Sequence, residues 1–448
     1  MFNVPDRLSK RSVPLRVAVV GAGLFGTNVI KQVERVSGMV TAIVADIDVE
    51  KAKRAYRDAG VTTNIVIDPD DTDLDATIAS GSRVVMSDGI DACQPPVDVL
   101  VEATGIPDAA TRHAWTAIDA GIHVVNATVE ADTVVGHILA KLALDRGITY
   151  SMAYGDQPAL MVELHDWAAT IGMDVTAVGR GSMFEEQFRY ATPDDVFERY
   201  GYSDEYVSRL GLNPQMYNSF LDGTKIAVEC CALANATGLP PDVSGMHIPP
   251  CEGTDLPDLF RPAEAGGILG QAGVVDAFTS RFPDGGVART QLGGSIFIVT
   301  TTPNETVRSY LTANADHGYH VSQDGTYAAF IRPYHLPGLE TPVSIAAAAV
   351  RNEPTGTPTD HVAEVVGAAK RPLEPGEVVD GGGGEMIYGC IEVADQAERL
   401  DYIPFELLPG ATITTSIERD DVLTWDVVTV PDTFIRRLRN DPSAIPVS

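Results

Sequence analysis

From Leu15 to about Ala153 the chain alternates short β-branched apolar runs with longer stretches whose apolar residues recur every three or four positions. "RVAVV", "MVTAIVAD", "DVLVEAT", "HVVNAT" and "ITYSMA" read as buried parallel strands. Between them "TNVIKQVERV", "VEKAKRAYRDA", "AATRHAWTAIDA" and "VVGHILAKLALDR" read as amphipathic helices. Regular strand and helix alternation predicts an α/β fold with a doubly wound parallel sheet over residues 14–154. Over residues 155–352 the pattern becomes α+β. It has a long helix at "PALMVELHDWAATIG", a strand at "VTAVGRGS" and a helix after Asp222, then strands at "GSIFIVTTT" and "TYAAFIRPY". "TPVSIAAAAVRN" reads as a small-residue helix able to pack back on the first domain, and Asn352–Asp360 as a Pro/Gly/Thr linker. Residues 361–430, with turns at "LEPGE", "DGGGGE" and "LLPGA", read as a small β-rich module.

"VAVVGAGLFGTNVI" sets Gly21, Gly23 and Gly26 in G-x-G-x-x-G spacing, with Leu24 and Phe25 inside the motif. The motif follows a strand and opens a helix, the context a dinucleotide-binding Rossmann domain requires. Asp46 ends the second strand, where a carboxylate accepts a hydrogen bond from an adenosine ribose diol and repels a 2′-phosphate. NAD is therefore favoured over NADP as the cofactor. Thr104 and Gly105 in "VEATGIPD", and Asn126 and Glu130 in "NATVEAD", fall at later strand ends and are candidates to border the nicotinamide.

The second segment carries the candidate chemistry. Asp222, Lys225 and Glu229 recur at i, i+3 and i+7, so they share a helix face. Lys225 is the expected general acid/base, oriented by Asp222 or Glu229; the alternative is an ordinary surface ion pair. "FIRPYHL" clusters Arg332, Tyr334 and His335 around a proline. Arg332, and Arg180 in "AVGRGS", are candidates to hold an anionic substrate with Tyr334, while His335 assists proton transfer. No H-x-H or H-E-x-x-H occurs, so no metal ligand set is predicted; a loosely held Mg²⁺ at Glu130, Glu163 or Asp222 stays open.

Charge narrows the partners. A formal net charge of −30 over 448 residues argues against nucleic acid and anionic membrane, leaving a small anionic molecule that a local basic cluster would hold. The five cysteines lack C-x-x-C spacing, and no apolar run approaches the length of a membrane span. A cytoplasmic location is expected.

Taken together, "VAVVGAGLFGTNVI", "VDVLVEATG", "GIHVVNAT" and the lysine helix after "FLDGTK" resemble the homoserine dehydrogenase cofactor and catalytic domains. Homoserine dehydrogenases are expected to carry a lysine where this chain has Val129. "EATGIPD", "VEAD", "ATPDD", "ANATGLPPDVSGMH", "EAGGILGQAGVVD" and "RPYHL" resemble the 1-deoxy-D-xylulose 5-phosphate reductoisomerase-like enzymes over nearly the whole chain. The segment from "AAKRPLEPGEVVDG" to "LTWDVV" is similar to the SAF module of sialic acid synthases and antifreeze proteins. The resemblance implies an NAD(P)-dependent oxidoreductase that reduces and rearranges a sugar phosphate with a divalent cation such as Mg²⁺. It also implies a central domain that serves dimerisation, in a dimer or tetramer. Two further readings stand beside it: an enzyme that retains NAD as a redox epimerase or lyase, and a non-enzymatic redox or sugar sensor.

Overall fold

The computed structural model describes residues 3–69, 74–290 and 292–444. The chain divides into two compact units, one of residues 1–160, 336–359 and 433–448, the other of residues 161–335 and 360–432. The molecule is mixed α/β, with a parallel Rossmann-like sheet in the first unit and further sheets in the second.

In the first unit, β1 (Leu15–Val20), β2 (Met39–Ala45), β5 (Val99–Glu102), β6 (His123–Asn126) and β7 (Tyr150–Met152) are the five strands the apolar runs predict. Two more, β3 (Ile65–Ile67) and β4 (Arg83–Met86), extend the sheet to the order β3-β4-β2-β1-β5-β6-β7, with every neighbouring pair parallel. These two escape a pattern search because they are three and four residues long, and β3 is an incompletely buried edge strand. The helices α1 (Leu24–Val33), α2 (Val49–Asp58), α3 (Pro107–Asp119) and α4 (Val129–Asp145) alternate with the strands. Strand order reverses between β1 and β5, and ligands of open α/β sheets bind beyond the carboxyl ends of strands at such a switch point.

The helix Pro342–Arg351 belongs to this first unit and buries Ile345 and Ala346 in its core. The segment read as a linker is pinned there too. Thr355 donates its amide to Ser151 Oγ at 3.0 Å, and Met152 donates its amide to the Gly356 carbonyl at 2.8 Å.

The second unit holds β8 (Asp174–Ser182), β9 (Val274–Thr279), β10 (Ile296–Thr301), β11 (His320–Val321) and β12 (Tyr327–Arg332) in the order β11-β12-β10-β8-β9. Only β8 and β9 pair in parallel among them. Residues 361–430 cluster with this unit, where β13 (Ala363–Ala369) and β14 (Ile387–Val393) form an antiparallel pair. The helix α5 (Gln157–Thr170) precedes β8, and α6 (Thr224–Thr237) is apolar on most of its faces, with every residue from Ile226 to Asn235 buried. A helix apolar all round needs cover on every side, and α6 packs on β8 and β9 and on the β13–β14 pair.

Both ends of α6 are tied to the C-terminal strands. At the start, Lys370 meets the Asp222 carboxylate at 2.7 Å and donates to the carbonyls of Ala191 (2.9 Å) and Gly384 (2.6 Å). Gly389 donates its amide to Thr224 Oγ1 at 2.8 Å. At the far end, Asn235 Oδ1 accepts from the amides of Val362 (2.8 Å) and Ala363 (3.0 Å), and its Nδ2 donates to the Ala363 carbonyl at 3.1 Å.

Replacing Lys370 by Met leaves the buried Asp222 carboxylate uncompensated. Removal of one member of a buried ion pair costs about 3–5 kcal/mol, to be read as a lower urea midpoint by circular dichroism. The double variant Lys370→Met with Asp222→Leu recovers most of that loss; if it is as unstable as the single one, the ion pair is not what holds this end of α6.

Candidate active site

The turn after β1 divides its three glycines by what surrounds them. Gly21 sits at φ +98°, and a Cβ there would fall 2.5 Å from the Ala103 carbonyl oxygen in the loop after β5. A Cβ at Gly26 would fall 1.9 Å from the Gly21 carbonyl oxygen, so α1 can lie on the turn only without a side chain. A Cβ at Gly23 would meet nothing within 4 Å, and the residue is exposed at the N-cap of α1. The first and third glycines therefore serve the fold, and the second leaves open backbone at a helix N-terminus, the geometry that receives a pyrophosphate.

Asp46 sits beside this turn. Its Oδ2 accepts the Ala22 amide and its Oδ1 the Asp48 amide, each at 2.8 Å. A carboxylate oxygen has more than one lone-pair direction, so both oxygens retain capacity for a ribose hydroxyl. Leu24 (72 % exposed), Ile47 (92 %) and Ile106 (56 %) are apolar side chains left open at the ends of β1, β2 and β5. Phe25 is half-buried.

The loops after β5 and β6 are joined through Glu102, a fully buried residue that the sequence reading passed over. Thr104 donates its hydroxyl to Glu102 Oε1 at 2.6 Å, and Thr128 donates its hydroxyl to Oε2. His113 Nδ1 lies 3.3 Å from Oε1. Gly105 donates its amide to Thr128 Oγ1 at 3.0 Å, while Asn126 closes on the Thr128 backbone through both ends of its amide. Thr104, Gly105 and Asn126 are thus brought together, with Asn126 engaged in holding the loop; Glu130 follows in the first turn of α4. The signal for Glu102 was a lone acidic residue ending an otherwise apolar strand. One turn into α4, Asp132 is fully buried and accepts the Tyr150 hydroxyl at 2.5 Å, while its Oδ2 has no partner among the described residues. Burial raises its pKa to about 7.

In the second unit, Arg180 on β8 and Arg332 on β12 both pair in register with Ile296 of β10, so the three side chains share one sheet face. Their surroundings differ. Arg180 is buried and ion-paired to Glu229 of α6, which makes it an interior group rather than an open anion holder. Arg332 lies 3.8 Å from Glu163 of α5 and stacks its guanidinium 4.8 Å from the centre of the Tyr334 ring, which is exposed. His335 Nδ1 is 2.8 Å from the Gly294 carbonyl, so it donates there and the neutral ring keeps its lone pair on Nε2.

Asp222 and Glu229 were expected to orient Lys225. In the structure Lys370 meets Asp222 and Arg180 meets Glu229, partners that reach the same helix from distant positions in the sequence. Lys225 is half-buried in the first turn of α6. Among the described residues no three His, Cys, Asp or Glu side chains gather to hold a metal. Glu163 faces Arg332 at 3.8 Å and Asp222 faces Lys370 at 2.7 Å. No helix among the described residues is long and apolar enough to cross a membrane.

A parallel α/β sheet with a glycine turn at its switch point defines a nucleotide-binding class of fold. Within the chain, residues 155–341 match the family model described as oxidoreductase DRL, catalytic domain, and on that match the chain is an oxidoreductase enzyme. No curated protein matches it. Among solved structures it is similar to 1-deoxy-D-xylulose 5-phosphate reductoisomerase from Zymomonas mobilis in complex with NADPH, at 14% identity and a TM-score of 0.36, over 65% of this chain and 68% of that one. It is also similar to myo-inositol dehydrogenase from Lactobacillus casei in complex with NAD(H) and myo-inositol, at 17% identity and a TM-score of 0.28, over 41% of this chain and 50% of that one. A third similarity is to an NAD binding oxidoreductase from Klebsiella pneumoniae, at 17% identity and a TM-score of 0.29, over 38% of this chain and 44% of that one.

Asp132 links stability to pH. Its pKa rises from 3.8 to about 7 on folding, so the native state keeps a proton that the unfolded chain releases. Its contribution is present in full below pH ~4 and is lost as pH rises toward ~7, at up to about 1.4 kcal/mol per unit. Asp132→Asn should flatten that slope in urea titrations run from pH 5 to pH 8; an unchanged slope would assign the titration elsewhere.

Proposed function

We propose that the chain is a nicotinamide-dependent oxidoreductase acting on a small hydroxylated substrate that carries a phosphate or carboxylate. The observation that carries the cofactor is the division among the three glycines: Gly21 and Gly26 have no room for a side chain, while Gly23 faces open space at the start of α1. Amides at that helix start meet the pyrophosphate, and Asp46 accepts from the adenosine ribose, which favours NAD over NADP. Ile47 and Ile106 offer apolar cover to the adenine. Thr104, Gly105 and Glu130 border the nicotinamide, in a loop that Glu102 keeps in one shape.

The bound cofactor supplies the hydride acceptor or donor. On the protein side, Lys225 exchanges a proton with the reacting oxygen. Arg332, stacked on Tyr334, takes the anionic end of the substrate, and its planar fork suits a phosphate or carboxylate. His335 can accept a proton at Nε2, its ring fixed by the bond to Gly294. Arg180 acts through Glu229 to hold α6 rather than touching the substrate. The sequence resemblance supports a reductoisomerase-like reaction on 1-deoxy-D-xylulose 5-phosphate as the substrate to try first. A homo-oligomer in the cytoplasm completes the reading.

The two halves of this reading fail separately. Gly23→Val keeps the melting temperature within a few degrees and weakens NADH binding at least tenfold in a fluorescence titration, whereas Gly26→Ala unfolds the first unit. Wild-type NADH affinity unaffected by Gly23→Val would remove the cofactor site. With 1-deoxy-D-xylulose 5-phosphate and NADH or NADPH, Lys225→Ala slows turnover by about 10²-fold or more. Absence of turnover in the wild type would remove the substrate and leave the cofactor standing.

A further inference from the structure

The second unit contains a cavity of about 400 Å³ at the carboxyl ends of β8 and β9, in the volume range of small-molecule sites. Phe184, Glu185, Arg189, His247, Arg281 and Phe282 are among its walls, and none of them has been given a cofactor or substrate role above.

One wall is held under backbone strain. Met246 (φ +65°) and Ile248 (φ +42°) flank His247, and a β-branched residue at positive φ is a real outlier. Asp276 maintains that shape. It is fully buried on β9 and accepts the His247 amide at 3.0 Å and the His247 Nδ1 proton at 2.7 Å. Gly245 precedes the strained pair, also at positive φ. Strain kept in a cavity wall by a buried carboxyl group is a sign of a site whose shape matters.

The charges in the walls are matched. Arg189 forks onto Glu186 with Nε and Nη2 at 2.8 and 3.0 Å, and its guanidinium lies 4.9 Å from the ring centres of both Phe184 and Tyr388. Arg281 is 3.5 Å from Glu185. His247 lies between Asp276 and Asp242, at 2.7 and 3.5 Å. No cationic surplus is left for a phosphate or carboxylate. Paired guanidinium and carboxylate groups instead present donors and acceptors side by side, and Phe184, Met246 and Phe282 add apolar faces. Alternating hydroxyls on an apolar ring match that combination.

We infer that this cavity is a binding site for a neutral polyhydroxylated small molecule of hexose size, additional to the substrate and cofactor positions. The test is saturation-transfer NMR on the full chain with D-glucose and D-galactose as the polyols, and with inorganic phosphate as the charged competitor. The inference expects transfer to at least one polyol, reduced fivefold or more in Arg281→Ala and in Phe282→Ala. Both side chains border the cavity without closing a core, so these variants fold, as their melting curves would verify. It also expects the signal to persist in Gly23→Val and Arg332→Ala, which lie in the proposed cofactor and substrate positions. Transfer to neither polyol overturns the inference, as does displacement of the polyol by phosphate. A signal abolished by Arg332→Ala and untouched by Arg281→Ala would move the polyol to the proposed substrate position and likewise overturn it.

Discussion

The second unit depends on the buried pair between Lys370 and Asp222. An ammonium group removed from water is costly unless it is neutralised and hydrogen-bonded, and here a carboxylate at 2.7 Å supplies the countercharge while two backbone carbonyls accept protons. The pair sits at the first turn of α6, and Asn235 performs the corresponding task at the last. The C-terminal strands are therefore structural members of the unit that carries Lys225, because they hold both ends of the helix on which it stands. This gives the segment 361–430 a mechanical role that needs no ligand of its own.

The sequence revealed what local backbone constraint dictates. Gly21 and Gly26 could be placed because a turn of positive φ and a helix lying on a carbonyl oxygen exclude every side chain, and such exclusion leaves its mark within a few residues. The same holds for the apolar runs that became β1, β2 and β5, buried on both faces. Partnership between distant residues left no such mark. The i, i+3, i+7 spacing of Asp222, Lys225 and Glu229 is correct as helix geometry, yet it says nothing of Lys370 or Arg180 arriving from other elements. Glu102 escaped for a related reason: one acidic residue in a strand is silent until Thr104, Thr128 and His113 are seen to converge on it.

Arg180 and Arg332 show how burial divides residues of one type. They stand on the same sheet face with Ile296 between them, and a sequence reading treats them alike. Arg180 is covered by α6 and must be neutralised where it lies, so Glu229 claims it and the pair becomes part of the packing. Arg332 stands at the strand end, 3.8 Å from Glu163, with the exposed Tyr334 ring against its guanidinium. Burial thus makes Arg180 part of the packing, while Arg332 keeps its guanidinium beside the half-exposed Glu163 and the exposed Tyr334 ring.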